Sequence, residues 1–210
     1  MEDIENELDM AKNVSRCVHE MGWGHGSTGN LSTLITSRIT TRMPPAENFG
    51  TDLFLPQLEG KHLLITRSGS RFSDVFQEPE ENLGLFRFER GGSSVSLLWG
   101  AGPPSSELPT HMFLYAHKTR SINSILHCHL DEVPRIDPIM EGQSRELPDW
   151  VTWVQDIPFG TVELAQVTLQ EIGERDTVYW KEHGVLTASS DLESALNAMK
   201  RFSEWARSLQ

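Results

Sequence analysis

Ser124-Ile125-Leu126-His127-Cys128-His129-Leu130 is an apolar run interrupted by two imidazoles one residue apart. Its length and composition predict a buried strand. Alternate residues of a strand share a face, so His127 and His129 point one way and Cys128 the other. Two imidazoles side by side fill a core badly and grip zinc well. Taken alone, the pair also fits a strand that merely carries two polar residues. Downstream, His183-Gly184 lies at the edge of another short strand, where a ligand is easily presented. Three histidines with one open position is the pattern of a catalytic zinc site, not of a closed structural one. Of the other histidines, His19, His62 and His117 read as surface residues and His25 lacks a comparable setting. His111 lies one helical turn after Glu107, where it can face the site or cap its helix.

Working outward, Ile4, Leu8, Ala11, Val14 and Val18 recur at helical spacing and predict an opening helix that ends before Gly22. Leu31 to Thr36 and Lys61 to Thr66 read as strands, and Leu83 to Glu89 with Ser94 to Trp99 as a hairpin around Gly91-Gly92. Leu108 to Lys118 reads as a helix capped by Ser105 or Ser106. Val151 to Ile157 is a strand, Thr161 to Ile172 a helix, and Thr177 to Trp180 and Val185 to Ala188 are short strands flanking His183. Asp191 to Leu209 closes the chain as a helix. Arg38 to Glu59 carries Pro44-Pro45 and no periodicity, so it reads as a loop or excursion, and Gln77 to Glu81 as a charged turn. Asp131 to Asp149, polar and holding Pro134, Pro138 and Pro148, is the least structured stretch. This mix predicts an α/β (α+β) fold, a central and largely antiparallel sheet covered by helices. The 210 residues fit a single domain, 1–210.

The net charge of −12 argues against general binding of nucleic acid or anionic membrane. Two cysteines, Cys17 and Cys128, read as free thiols of a reducing compartment. The acidic start, Met1 to Glu7, has no apolar signal region, and no apolar run approaches membrane-spanning length. A cytoplasmic protein is expected. Against such a field, an anionic substrate needs a local pocket of donors. Three segments offer one: Ser27-Thr28-Gly29-Asn30, Thr66-Arg67-Ser68-Gly69-Ser70 and Pro104-Ser105-Ser106-Glu107. Each joins small hydroxyl residues to loop or helix-start geometry, where N–H groups and hydroxyls can bind phosphate. Each one alone also reads as a simple turn or helix cap.

The order of these motifs resembles the class II aldolase/adducin superfamily. The residues that carry it are Ser27-Thr28-Gly29-Asn30-Leu31-Ser32, Leu64 to Gly69, Pro104 to His111, Ile125 to His129 and His183-Gly184-Val185. Phe159-Gly160-Thr161-Val162-Glu163-Leu164-Ala165 is similar to the family's Gly-x-x-Glu-Leu-Ala helix entry, and the closing helix fits as well. The resemblance runs from about Ala11 to Ala206. It implies a zinc-dependent lyase that acts on a small phosphorylated ketose through a metal-stabilised enediolate, often as a homotetramer with its site at a subunit boundary. By matching motif, His127, His129 and His183 would hold Zn²⁺, and Glu107 would be the acid/base. Thr28, Gly29, Asn30, Ser68, Gly69, Ser105 and Ser106 would bind the phosphate.

One departure matters. Sugar-phosphate aldolases of this kind take a tyrosine from the loop after the H-x-H, and this chain has only Tyr115 and Tyr179. Its loop offers carboxylates, of which Glu146 and Asp149 fall nearest the expected spacing. That favours a sugar-phosphate dehydratase or 4-epimerase as the alternative chemistry. An adducin-like, non-catalytic interaction module is the alternative of another class.

Overall fold

The computed structural model describes residues 4–37, 39, 44–117, 121–131, 136 and 147–209. The chain opens with α1 (Glu5–Glu20), β1 (Asn30–Ile35), β2 (Glu47–Gly50) and β3 (His62–Thr66). Two short helices, α2 (Phe72–Gln77) and α3 (Pro79–Asn82), lead into the hairpin β4 (Leu83–Glu89) and β5 (Ser94–Gly100). Next come α4 (Leu108–Ala116), β6 (Ser124–Cys128), β7 (Val151–Val154), α5 (Val162–Ile172), β8 (Thr177–Trp180), β9 (Gly184–Ser189) and α6 (Leu192–Ser208).

The strands form one sheet in the order β2-β5-β4-β3-β1-β6-β9-β8-β7. Every pairing is antiparallel except β7 with β8. That exception follows from connectivity, because α5 carries the chain from β7 back to the same end of the sheet. The largely antiparallel sheet expected from the sequence is therefore present.

Both faces of the sheet are covered. On one face α1, α2 and α6 bury Val14, Phe72, Met199 and Phe202 against Leu64, Leu126 and Cys128. On the other, α4 and α5 bury Met112, Tyr115, Leu164 and Ile172 against Leu63, Ile65, Ile125 and Trp180. The period-2 alternation is visible along β3, where Leu64 joins one layer and Leu63 and Ile65 the other. In β6, Ile125 and Cys128 divide in the same way, so His127 faces the α4–α5 side. Among the described residues no helix is long and apolar enough to cross a membrane.

Three local expectations need correction. The Arg38 to Glu59 excursion contains an edge strand, β2, paired with β5. Its residues are largely exposed, so no apolar period marks it, and only the template of β5 selects an extended form. Gln77 to Glu81 is not a turn but the junction of α2 and α3, each too short to show a helical period. The strand beginning at Val151 stops at Val154 rather than Ile157. In addition, α4 has no side-chain cap. Glu107 occupies its N-cap position, and Ser105 Oγ accepts the Glu107 N–H at 3.3 Å.

The closing helix shows how its sequence sets its position. Leu192, Ala195, Leu196, Met199, Phe202 and Ala206 form the buried stripe. Asp191 caps it by accepting the Ser194 N–H at 2.7 Å, and the Ser194 hydroxyl donates to the same carboxylate at 3.0 Å. These donors hold the Asp191 carboxyl below its ordinary value. Asp191→Ala is expected to cost about 1 kcal/mol in urea unfolding at pH 7, the usual worth of such a cap. A depressed folded-state pKa contributes stability above the unfolded value and loses it as pH falls through the folded value. The difference between wild type and variant should therefore shrink on acidification. A difference that holds constant to low pH would show that the charge of the cap is irrelevant.

Candidate metal centre and substrate cavity

Three neighbouring strands build the centre of the site. Asn30 at the start of β1 stands opposite His127 of β6. On the other side of β6, His127 is paired with Leu186 and Cys128 with Val185 of β9. His129 follows directly after β6, and His183 sits in the tight turn between β8 and β9. The three imidazole centroids are 4.9 Å apart in every pairing. One ring nitrogen from each lies within 4.8 Å of the others, a group that could hold a metal ion. Gly184 makes this convergence possible, since a Cβ there would lie 2.7 Å from the Cys128 carbonyl and 2.8 Å from His127 Cε1.

The tautomer of His127 follows from its neighbours. Its Nδ1 lies 3.0 Å from the Val185 carbonyl, which only accepts, so Nδ1 carries the proton. Nε2 then presents a lone pair. That atom is buried and has no hydrogen-bond partner among the described residues. An orphaned, lone-pair nitrogen aimed at two further imidazoles is what a divalent cation requires, and what a plain core histidine avoids. Burial lowers the His127 pKa to about 3 against the opposing pull of Glu107. Burial, helped by His183, lowers that of His129 to about 4. Both rings are therefore neutral at pH 7, the state in which imidazole ligates a metal.

Trp180 backs this group. Its ring stacks on His183 at 5.1 Å and 17° and lies 4.8 Å from His127, while its N–H donates to Thr168 Oγ1 at 2.9 Å. Sequence reasoning missed Trp180, because an aromatic residue in a short apolar strand reads as core.

Glu107 enters from the start of α4 and is buried. Its two oxygens are differently engaged. Oε2 accepts a hydrogen bond from Asn30 Nδ2 at 3.0 Å. Oε1 lies 3.5 Å from His127 Nε2 and 3.4 Å from His183 Nε2. Burial opposes the charge, but His127 and the hydrogen bonds from His183 and Asn30 outweigh it and hold the carboxyl at about 2. The side chain is thus not a helix cap. His111, left open between two roles by the sequence, stands behind Asn30 with its Nε2 2.8 Å from Asn30 Oδ1.

All seven residues expected to bind phosphate line one cavity of about 450 Å³, together with Glu107, His129 and His183. The second and third loops are tied to each other. Ser68 N–H donates to the Pro103 carbonyl at 3.0 Å and Ser105 N–H to the Thr66 carbonyl at 2.9 Å. Gly29 has φ +88°, and a Cβ there would lie 2.6 Å from the His127 carbonyl, so the first loop can press against β6 only with glycine. Asn30 lines the cavity, but its side-chain amide is spent on Glu107 and His111. The facing wall was not foreseen. It holds Asp156, Ile157, Pro158 and Phe159, whose ring lies 5.8 Å from His183. Glu146 and most of the carboxylate-bearing loop lie outside the described residues. Asp149 borders a separate depression with Trp150 and Glu174 to Asp176.

Residues 11–209 match the family described as Class II Aldolase and Adducin N-terminal domain. Among curated relatives, a rhamnulose-1-phosphate aldolase of Listeria monocytogenes serotype 4b (strain F2365) is 25% identical over 218 residues, covering 91% of this chain and 79% of the relative. The rhamnulose-1-phosphate aldolase of Escherichia coli (strain SE11) is 27% identical, covering 82% and 73%. In the solved sugar-phosphate aldolase of Thermotoga maritima the fold superposes with a TM-score of 0.73 at 23% identity, over 96% of this chain and 97% of that one. The L-fuculose-1-phosphate aldolase of Thermus thermophilus gives 0.64 at 19%, over 96% and 92%. With the sheet, its order of motifs and this match over nearly the whole length, the chain belongs to the class II aldolase/adducin family.

Proposed function

We propose that this chain is a divalent-metal lyase, with Zn²⁺ as its ion, that cleaves a small ketose phosphate by a retro-aldol reaction. The observation that carries this reading is the meeting of three imidazoles, one with an unpartnered buried Nε2, beside an ionised carboxylate at one cavity. The curated relatives named for rhamnulose 1-phosphate support the substrate class.

His127, His129 and His183 would hold the ion. Bound there, it would supply Lewis acidity toward substrate oxygens. Glu107, ionised at neutral pH and directing Oε1 to the same space, is placed to take the proton of the hydroxyl that becomes the aldehyde as the C–C bond breaks, and to return it to the carbon left on the ketone phosphate. The hydroxyls and backbone N–H groups of Thr28, Gly29, Ser68, Gly69, Ser105 and Ser106 grip the phosphate. Arg67 is the one cationic residue on these loops, and a local array of donors answers the repulsion of a chain with net charge −12. Anchoring the phosphate at one end of the cavity sets the reacting carbons beside Glu107.

A second reading, dehydration or 4-epimerisation, is favoured by the tyrosines. Tyr115 is buried with its hydroxyl engaged by Ser32, and Tyr179 is buried against Phe202. Neither lines the cavity, so no tyrosine of this chain is placed to exchange a proton with the aldehyde oxygen of an aldol step. In the second reading a carboxylate of the 131–149 loop, such as Glu146, would donate the proton to a leaving hydroxyl. The non-catalytic reading has less in its favour, since burying a lone-pair nitrogen without a partner costs stability to no purpose.

Incubating the zinc-loaded protein with rhamnulose 1-phosphate is expected to give dihydroxyacetone phosphate and a three-carbon aldehyde. A single dehydrated ketone, or the epimer alone, would select the second reading. The unphosphorylated ketose should turn over far more slowly, and equal rates would contradict a phosphate cradle. Chelation should abolish activity and Zn²⁺ restore it, whereas His127→Ala should not be restored. Glu107→Gln is expected to keep its zinc and lose about 10²–10⁴ in rate, the usual worth of a positioned acid/base. Near-normal turnover in that variant would remove Glu107 from the chemistry.

A further inference from the structure

A chain of buried polar groups runs from Glu107 away from the cavity. Asn30 Nδ2 lies 3.0 Å from Glu107 Oε2, and Asn30 Oδ1 lies 2.8 Å from His111 Nε2. His111 Nδ1 lies 2.6 Å from Ser32 Oγ, which lies 2.6 Å from the Tyr115 hydroxyl. The Ser32 carbonyl lies 3.2 Å from the same hydroxyl, farther than Oγ. His111 and Ser32 are fully buried and Tyr115 nearly so. The three residues sit outside the cavity lining.

The direction of every donor in this chain follows from the Asn30 carboxamide. Its NH₂ donates to Glu107 Oε2. Oδ1 then faces His111, and Nε2 must carry the ring proton. Burial, against the opposing pull of Glu107, holds the His111 pKa at about 4, so the ring is neutral and Nδ1 has a lone pair. Ser32 donates to that lone pair, and Tyr115 donates to Ser32. All these donors point toward Glu107.

We propose that His111 is a positioning residue: as its Nε2–H tautomer it locks the far end of the Asn30 carboxamide, and so holds Oε2 of Glu107 in place and leaves Oε1 free. The inference rests on the reading of Glu107 as the acid/base. A carboxamide has two ends of nearly equal shape and opposite polarity. With the Nε2–H donor in place, Oδ1 is claimed by His111, and the NH₂ ties down Oε2. Oε1 is left toward His127 and His183. Without that donor Oδ1 is buried with no partner, the carboxamide is held at one end only, and Glu107 loses the rigid anchor of Oε2. Ser32 and Tyr115 act one step further back by holding the tautomer. Because none of the three touches the cavity, the effect belongs to the chemical step and not to substrate binding.

The first test needs no variant. Nitrogen-15 NMR of the metal-free protein should show His111 protonated at Nε2 with a lone pair at Nδ1, and the reverse tautomer would overturn the proposal. The second is a double-mutant cycle on the turnover of rhamnulose 1-phosphate. His111→Phe should lower kcat by about 10–100-fold, the usual effect of removing such a supporting partner, and leave KM unchanged. In a Glu107→Gln background it should cost nothing more. His111→Gln, which retains an N–H donor, should recover part of the rate. Full activity of His111→Phe, or the same fold loss in both backgrounds, would overturn the proposal. Should His111→Phe fail to fold, Ser32→Ala takes its place in the cycle with the same expectations. A fully active Glu107→Gln would sink the acid/base reading and this inference with it. An inactive Glu107→Gln beside a fully active His111→Phe would sink this inference alone.

Discussion

A strand sends successive side chains to opposite faces, so the register of β6 between β1 and β9 governs everything at this site. With Asn30 and Leu186 paired to His127, the imidazole faces the α4–α5 side and the Cys128 thiol is buried among α1, α2 and α6. A slip of one residue would exchange them, placing a thiol in the cavity and an imidazole in an apolar layer. The burial that pushes the Cys128 thiol pKa upward would be no kinder to a charged ring. The same register puts the Gly184 backbone against Cys128 and so delivers His183 to the other two rings. The site is thus a consequence of how three strands align, and the loops are added to it.

The groups around that row of strands form concentric layers with separate tasks. His129, His183 and Glu107 line the cavity, and His127 is buried beside them. Trp180, anchored by Thr168, and Asn30, held by His111, fix the angles at which those groups point. Outside them the aliphatic layers exclude water, which is why the Glu107 carboxylate and the His127 and His129 rings have strongly displaced pKa values. Binding, orientation and proton transfer are divided among residues from distant parts of the chain, and the antiparallel sheet brings them together without a long loop.

Much of this was legible in the sequence, and the reason is period. The H-x-H alternation, the apolar stripe of α6 and the Gly91-Gly92 hairpin are local patterns that the structure reproduces. The three hydroxyl-rich segments were also legible as motifs, and their order pointed to one family. What escaped was set by tertiary context. β2 has no apolar alternation and is extended because β5 pairs with it. Trp180 and His111 each have two plausible reasons to be buried, and only distances to His183 and Asn30 separate support of the site from simple packing. Asn30 was read as a phosphate ligand from its motif, and its engagement with Glu107 and His111 was not read at all. No spacing rule reveals which of two polar neighbours an amide serves.

X-ray absorption at the zinc edge of the metal-loaded protein tests the central claim most directly. The account predicts a first shell with three imidazole nitrogens at about 2.0–2.1 Å and no sulfur. A sulfur shell at about 2.3 Å would mean that Cys128 has turned into the site and that the register of β6 is wrong. Failure to take up zinc at all would contradict a metal centre built from His127, His129 and His183.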